Sequence, residues 1–139
     1  MRSTRVALLT ALGLAAASPI AAQENGGGRS VLEGVYTEAQ AERGAAAFRS
    51  NCAECHSSRQ FAGPTFQRSW SGRALYDLFE SIRTRMPDSN PGSLRRTTYA
   101  DIIAYLFSLN GYPAGDTELP SEAEPQKGIR IEAAPDTAS

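Results

Sequence analysis

The sequence places both of its cysteines and its single histidine in one six-residue stretch, NCAECH at positions 51–56. If this stretch forms a helical turn, Cys52 and Cys55 lie one turn apart and His56 lies four positions after Cys52. All three side chains can then address one object on one face. The rest of the chain has to fold around whatever this face holds.

The spacing Cys-x-x-Cys-His is the attachment motif of c-type haem. Two thiols at this separation can form thioether links to the two vinyl groups of the macrocycle, while the imidazole takes an axial position on the iron. We therefore predict one haem c, covalently attached through Cys52 and Cys55, with His56 as an iron ligand.

Three other uses of the motif are possible on chemical grounds. A zinc site needs four ligands, and this chain has no third cysteine and no second histidine. A thioredoxin-like redox pair needs a βαβ setting, whereas no alternating strand pattern is visible here. A disulfide between residues three positions apart closes a very small loop and stabilises a fold little. These remain the alternatives to haem attachment.

Met86 is the candidate second iron ligand, because it is the only methionine apart from Met1. It lies 30 residues after His56, where an amphipathic segment ends and the loop MPDSNPG begins. A thioether ligand raises the reduction potential of haem iron, and two filled axial positions favour electron transfer over bond-making. The alternative is a methionine that fills a gap in the core.

The N-terminal residues have the three-part pattern of a secretory signal peptide: MRSTR, the apolar run VALLTALGLAAA, and a small residue at Ala22. The run is shorter than the roughly 20 residues needed to span a bilayer. We expect cleavage of residues 1–22, export to the periplasm and no stable membrane insertion afterwards. Loss of Arg2 and Arg5 changes the net charge from −1 to −3, which excludes a broadly basic nucleic-acid-binding protein.

Composition divides the remaining chain into three parts. Residues 23–35 carry a glycine run and are expected to form a flexible lead-in. Residues 36–113 contain the helical patterns and are expected to form the domain. Residues 114–139 contain six acidic residues and little apolar content, so we expect an extended or disordered tail.

Three helices are predicted within the domain. The first covers residues 38–49 and begins with a capping box of Thr37 and Gln40. The second lies in SGRALYDLFESIRTRM, with Ser71 as its cap, and the third lies in TTYADIIAYLFSLNG. Gly44 is expected to mark a close crossing of the first and third helices. The segments SSRQFAGPTFQRSW and PDSNPGSLRR are predicted to be irregular loops.

These features resemble class I cytochromes c over about residues 35–113. Gly44, Phe48 and Tyr105 occupy positions at which that family pairs its N-terminal and C-terminal helices. The resemblance implies an all-α cytochrome c fold, with three main helices and long loops wrapped around one haem. It also implies that the carbonyl of Pro64 accepts a hydrogen bond from the ligating histidine. Simple turn chemistry is the alternative for this proline.

The resemblance also concerns Trp70 and Arg73, where the chain leaves that loop. It implies that the indole N–H or the guanidinium donates a hydrogen bond to a haem propionate. The alternatives are a core tryptophan and a solvated arginine at a helix start.

Three segments are similar to small cytochromes c that partner, or are fused to, exported quinoprotein dehydrogenases. They are GVYTEAQAERG, WSGRALYDLFESIRTRMP and DIIAYLFSLNGYPAG. This implies an electron carrier rather than an enzyme, or an electron-accepting subunit of a dehydrogenase. The donor would be a quinoprotein or another periplasmic dehydrogenase, and the acceptor an oxidase or another cytochrome. The alternative function is a haem-based gas sensor or ligand binder with a labile Met86.

Four arginines bracket the Met86 loop, namely Arg83, Arg85, Arg95 and Arg96. Residues 38–112 contain nine arginines and seven acidic residues, so the core is expected to be mildly basic. Solubility alone can explain these charges. If they serve docking, we expect a redox partner with an acidic rim.

Overall fold

The computed structural model describes residues 28–134. Within this range the chain is all-α, as predicted, with five helices: α1 Glu38–Asn51, α2 Pro64–Trp70, α3 Leu75–Arg83, α4 Arg96–Leu109 and α5 Ala123–Lys127. Short 3-10 turns cover Val31–Glu33 and Ser58–Phe61, and two-residue strands β1 (Arg29–Ser30) and β2 (Ile129–Arg130) pair in parallel.

The predicted leader, residues 1–22, lies outside the described residues. None of the helices between residues 28 and 134 combines the length and the hydropathy that a bilayer crossing requires.

Helices α1 and α4 cross at Gly44, as the sequence predicts. A Cβ atom placed on Gly44 would lie 1.8 Å from the carbonyl oxygen of Asp101, so no other residue fits there without a shift of the backbone. One turn further along α1, the rings of Phe48 and Tyr105 are 5.7 Å apart between centroids. This contact fixes the C-terminal end of α1, and therefore the start of the NCAECH turn, against the most buried helix of the fold.

The N-terminus of α1 forms only half of the predicted capping box. Thr37 Oγ1 accepts a hydrogen bond from the Gln40 N–H at 3.1 Å. The Gln40 side chain does not return to Thr37; its Nε2 donates to the Leu119 carbonyl at 3.1 Å and its Oε1 accepts from the Leu119 N–H at 2.6 Å. The buried amide therefore satisfies both polar groups of a distant backbone residue, which an isolated sequence pattern cannot indicate.

The segment after the NCAECH turn, predicted to be an irregular loop, contains a helix. Helix α2 begins at Pro64, and Gly63 precedes it with φ 71°. Proline suits the first turn of a helix because the first N–H has no partner inside the helix. Ser71 ends this helix and does not cap the next one: α3 begins later, at Leu75. The predicted cap at Ser71 was therefore wrong.

The expected extended or disordered tail is also wrong for residues 114–134, which pack against the helices. We call residues 112–134 the C-terminal strap. Five of its side chains are almost fully buried: Tyr112, Leu119, Gln126, Ile129 and Ile131. Polar residues separate these buried side chains in the sequence, so the average composition of the segment does not indicate their burial.

The end of the strap is held by backbone hydrogen bonds to the α2–α3 connection. The Gly72 N–H donates to the Ile131 carbonyl at 2.7 Å, and the Ile131 N–H donates to the Arg73 carbonyl at 2.8 Å. In the predicted lead-in, Val31 and Val35 are completely buried. The folded unit therefore extends on both sides of the predicted boundaries at 36 and 113.

We predict that Gly44→Ala lowers the free energy of unfolding by a net amount of about 2 kcal/mol, because the added methyl group overlaps the Asp101 carbonyl. This loss outweighs the gain of about 1 kcal/mol that alanine brings to a helix interior. Denaturant unfolding of the haem-loaded protein measures the change. Ala46→Gly, at an exposed position of α1, is the control and should cost about 1 kcal/mol from helix propensity alone. A Gly44→Ala protein that is more stable than the parent would contradict the close crossing.

Candidate functional site

The NCAECH stretch forms a single helical turn directly after α1. The Cys52 N–H donates to the Phe48 carbonyl at 2.8 Å, and the Cys55 and His56 N–H groups both donate to the Cys52 carbonyl, at 3.1 and 2.9 Å. Cys52 is half-buried, Cys55 is exposed, and neither is in a disulfide. Burial raises the pKa of the Cys52 thiol. The turn predicted for this motif is thus present.

A cavity of about 190 Å³ lies beside this turn, and Cys52, His56 and Met86 all line it. Its other walls are mainly apolar and come from α2, α3 and α4, from the 3-10 turn before α2 and from the residues that follow α3. They are Phe61, Phe66, Trp70, Leu78, Ser81, Ile82, Arg85, Ile102 and Leu106. We call this the inner cavity. The structure therefore brings Met86 to the same space as the histidine that precedes it by 30 residues.

A second cavity, of about 320 Å³, shares Cys52, His56 and Met86 with the first. Its remaining lining residues are exposed or come from the Met86 loop: Asn51, Glu54, Cys55, Pro87, Asp88 and Ser89. We call this the outer cavity. Both thiols, the imidazole and the thioether therefore line one continuous set of walls, with an apolar interior and a polar mouth.

The His56 ring is held on two sides. Its Nδ1 lies 3.2 Å from Gln60 Oε1, and the Phe61 ring contacts it edge-on with centroids 5.3 Å apart. When Nδ1 carries the proton, it donates a hydrogen bond to Gln60 Oε1. Nε2 then keeps its lone pair and can act as a ligand.

Pro64 occupies a different position from the other predicted site residues. It is the first residue of α2 and lines a separate surface cavity together with Gly63 and Asn110. In this structure the partner of His56 Nδ1 is Gln60, so the bond from His56 to the Pro64 carbonyl stays a prediction. Asn110 fixes the backbone just before α2, since its Oδ1 accepts a hydrogen bond from the Gly63 N–H at 2.9 Å.

Trp70 and Arg73 lie in contact with each other, but their surroundings differ. Trp70 lines the inner cavity and packs against the core. Arg73 is not among the residues that line it; its guanidinium stacks on the Trp70 ring at 4.8 Å and its Nε lies 3.5 Å from the Asp77 carboxylate. The arginine that lines the inner cavity is Arg85. From the sequence, Arg85 was predicted only as part of a docking surface.

The four arginines around the Met86 loop do not form one patch. Arg83 and Arg96 both contact the Glu80 carboxylate, at 2.7 and 3.4 Å. Hydrogen bonds from Arg83, and to a smaller extent from Arg96, lower the pKa of Glu80. Arg95 lines another surface cavity, beside Gln40. Only Arg85 of the four contributes to the cavities at the NCAECH turn.

The residues around the inner and outer cavities fit a haem. The apolar walls suit the body of a porphyrin, and the imidazole and thioether are typical axial ligands of iron. The thiols lie at the Cys-x-x-Cys-His spacing that covalent attachment requires.

A small helical domain with this motif is a c-type cytochrome, and the chain is a class I monohaem cytochrome c. The family model described as cytochrome c oxidase, cbb3-type, subunit III matches residues 39–106, from the start of α1 to near the end of α4. No curated protein and no solved structure gives a significant match. Membership of this class implies covalently bound haem c and an electron-transfer role.

We predict that Glu80→Gln lowers the free energy of unfolding at pH 7 by about 1 kcal/mol, because the contacts with Arg83 and Arg96 weaken. The pKa of Glu80 is depressed in the folded state, so its carboxylate stabilises the fold above the unfolded value of about 4.3. This contribution is lost as the pH falls through the folded-state pKa.

Thermal unfolding of the two proteins across a pH series measures this contribution. Their difference should be largest near neutral pH and should shrink below about pH 4. The exposed Glu42 on α1 supplies the control variant, Glu42→Gln, with an expected change below about 0.5 kcal/mol. A Glu80→Gln difference that is constant at all pH values would contradict the assignment.

Proposed function

We propose that this chain is an exported cytochrome c that carries single electrons from a periplasmic dehydrogenase to a respiratory acceptor. In this proposal Cys52 and Cys55 attach one haem c, and His56 and Met86 are its two axial ligands. The observation that carries the proposal is that His56 and Met86 line the same two cavities, although 30 residues separate them in the sequence.

The bound haem would supply an iron centre that gains and loses one electron. The chain's own residues would hold and tune it. Gln60 and Phe61 orient the His56 ring so that Nε2 faces away from the hydrogen bond. The apolar walls from α2, α3 and α4 keep water away from the interior, which favours the less charged, reduced state. Met86 adds to this preference because a thioether stabilises ferrous iron.

Trp70 and Arg85 are the candidates for contact with the haem propionates. Trp70 supplies one N–H donor and Arg85 a cationic guanidinium, and both line an otherwise largely apolar cavity. Arg73 is not a candidate, because its guanidinium contacts the Trp70 ring and Asp77; this agrees with the alternative of an arginine at the surface.

The first test is the intact mass and visible spectrum of the chain produced in cells that mature c-type cytochromes. We expect the mass of residues 23–139 plus one haem, a low-spin spectrum, and colour that remains with the polypeptide after denaturation. A colourless folded protein at the bare calculated mass would overturn the proposal. A haem-bearing chain that still contains residues 1–22 would contradict only the cleavage of the leader.

The second part of the same test separates an electron carrier from a gas sensor with a labile methionine. Carbon monoxide should bind slowly and weakly to the reduced parent protein, because Met86 occupies the sixth position. Met86→Ala should keep the haem attached, lose the low-spin His/Met signature and bind carbon monoxide rapidly. Rapid, tight binding by the unaltered protein would favour the sensor. Leu109→Ala, on an exposed side chain, is the control and should behave like the parent.

For the partners, we propose that redox proteins dock over the mouth of the outer cavity. The candidate donor is a quinoprotein dehydrogenase, and the matched family description, which names an oxidase subunit, supports an oxidase as acceptor. Charge steering is expected to be weak. Residues 28–134 contain 12 basic and 13 acidic residues, because the packed strap offsets the mildly basic core.

Asp88 lines the mouth and is exposed, so it provides a test of docking there. With a partner whose rim is acidic, Asp88→Lys should raise the rate of electron transfer at low salt by about threefold or more, and added salt should remove the gain. Stopped-flow reduction by a quinoprotein dehydrogenase and its alcohol measures this.

Glu42→Lys makes the same charge change on α1, away from the mouth, and should have a smaller effect. Equal effects of the two variants would show that docking occurs elsewhere. A slower reaction for Asp88→Lys would show that the partner's rim is basic.

A further inference from the structure

The hydroxyl group of Tyr99 contacts both ends of the loop that follows Met86. It donates a hydrogen bond to the Met86 carbonyl at 2.7 Å, and it lies 3.4 Å from the Leu94 N–H, which donates to it. Tyr99 lies in α4 and its side chain is completely buried. One buried phenol on the central helix therefore joins the first and last residues of segment 86–94.

The remaining contacts of this segment are weaker or more local. The Met86 N–H donates to the Ile82 carbonyl at 2.8 Å, which continues the turn at the end of α3, and the Gly92 N–H donates to the Met86 carbonyl at 3.3 Å. Residues 88–93 are all exposed. Segment 86–94 thus has little buried surface of its own, and Tyr99 is its link to α4.

The Tyr99 ring itself is held firmly. It packs edge-on against Phe79 of α3, with centroids 6.2 Å apart. Helix α4 is in turn locked against α1 at Gly44. The position of the hydroxyl is therefore determined by the core, and a displacement of the Met86 carbonyl by more than about 1 Å away from it breaks the hydrogen bond of 2.7 Å.

We propose that Tyr99 is a positioning residue for the Met86 ligand: its hydroxyl holds the Met86 backbone so that the thioether stays directed into the inner cavity. The inference rests on the proposed role of Met86 in the function above. A methionine side chain has three rotatable bonds and makes few directional contacts, so it cannot hold its own sulfur in place. A fixed backbone would restrict the motions that carry the sulfur away from the iron, and it would therefore lengthen the lifetime of the sulfur–iron bond.

The test uses Tyr99→Phe in the haem-loaded protein, which keeps the ring and removes only the hydroxyl. Imidazole is added to the oxidised protein, and the disappearance of the sulfur-to-iron charge-transfer band reports release of Met86. We expect the band to be present in Tyr99→Phe and the limiting rate of displacement to rise about fivefold, which corresponds to one lost hydrogen bond.

Tyr36→Phe is a matched control. The Tyr36 hydroxyl is also buried and donates to a backbone carbonyl, that of Tyr112, at 2.7 Å. Its removal should lower global stability by a similar amount, because the chemical change is the same. It should leave the displacement rate unchanged, because the bond lies away from segment 86–94. Equal rates in Tyr99→Phe and Tyr36→Phe would overturn the positioning role.

Failure of the underlying function can be recognised separately. If the unaltered protein lacks the charge-transfer band, Met86 is not the ligand, and the proposed axial pair fails before any variant is compared. If the band is present and only the rates agree, the function stands and the role of Tyr99 fails.

A measurement on the unaltered protein covers the case in which Tyr99→Phe does not fold. Amide hydrogen exchange at Leu94 is followed with and without saturating imidazole. If Tyr99 couples Met86 to the end of the loop, displacement of Met86 should speed exchange at Leu94 about threefold or more, while exchange in α1 stays constant. Unchanged exchange at Leu94 would contradict the coupling.

Discussion

The close contact between α1 and α4 at Gly44 is the constraint on which the rest of the structure depends. Because Gly44 has no side chain, the Asp101 carbonyl can approach α1 to a distance that a Cβ atom would prevent. The contact sets the direction of α1, and with it the NCAECH turn that follows. It also sets α4, which carries Tyr99 towards the Met86 loop. One helix crossing therefore sets the positions of both the NCAECH turn and the residue that contacts the Met86 backbone.

The C-terminal strap completes the fold on the other side. Three helices alone would bury little apolar surface, since a small domain keeps much of its surface in water. The strap adds buried side chains at Leu119, Ile129 and Ile131, and its backbone bonds tie the α2–α3 connection in place. Gln40 joins the strap to α1 through two hydrogen bonds. The connection beside Trp70 is therefore held from outside as well as by the core.

How much of the site could be predicted depended on how local each interaction is. The NCAECH turn needs only hydrogen bonds between neighbouring residues, so the spacing was sufficient. Met86 could be selected because the chain has no other methionine apart from Met1. Helix α2 was missed, although Phe66 and Trp70 lie four residues apart and are typical of a helix face, because Gly63 and Pro64 are also turn formers. Nothing in the sequence distinguishes the hydroxyl of Tyr99 from that of Tyr36.

The sequence by itself determined the helical class, the positions of the main helices, the glycine crossing and the attachment motif, because each follows from residue spacing within one or two turns. Tertiary structure alone decided which segments pack against those helices and which side chains share a cavity. Three features depend on residues that are distant in the chain. They are the burial of the acidic strap, the place of Arg85 in the wall of the inner cavity, and the hydrogen bond from Tyr99 to Met86. Such contacts depend on the relative placement of elements, which no local pattern of residues contains.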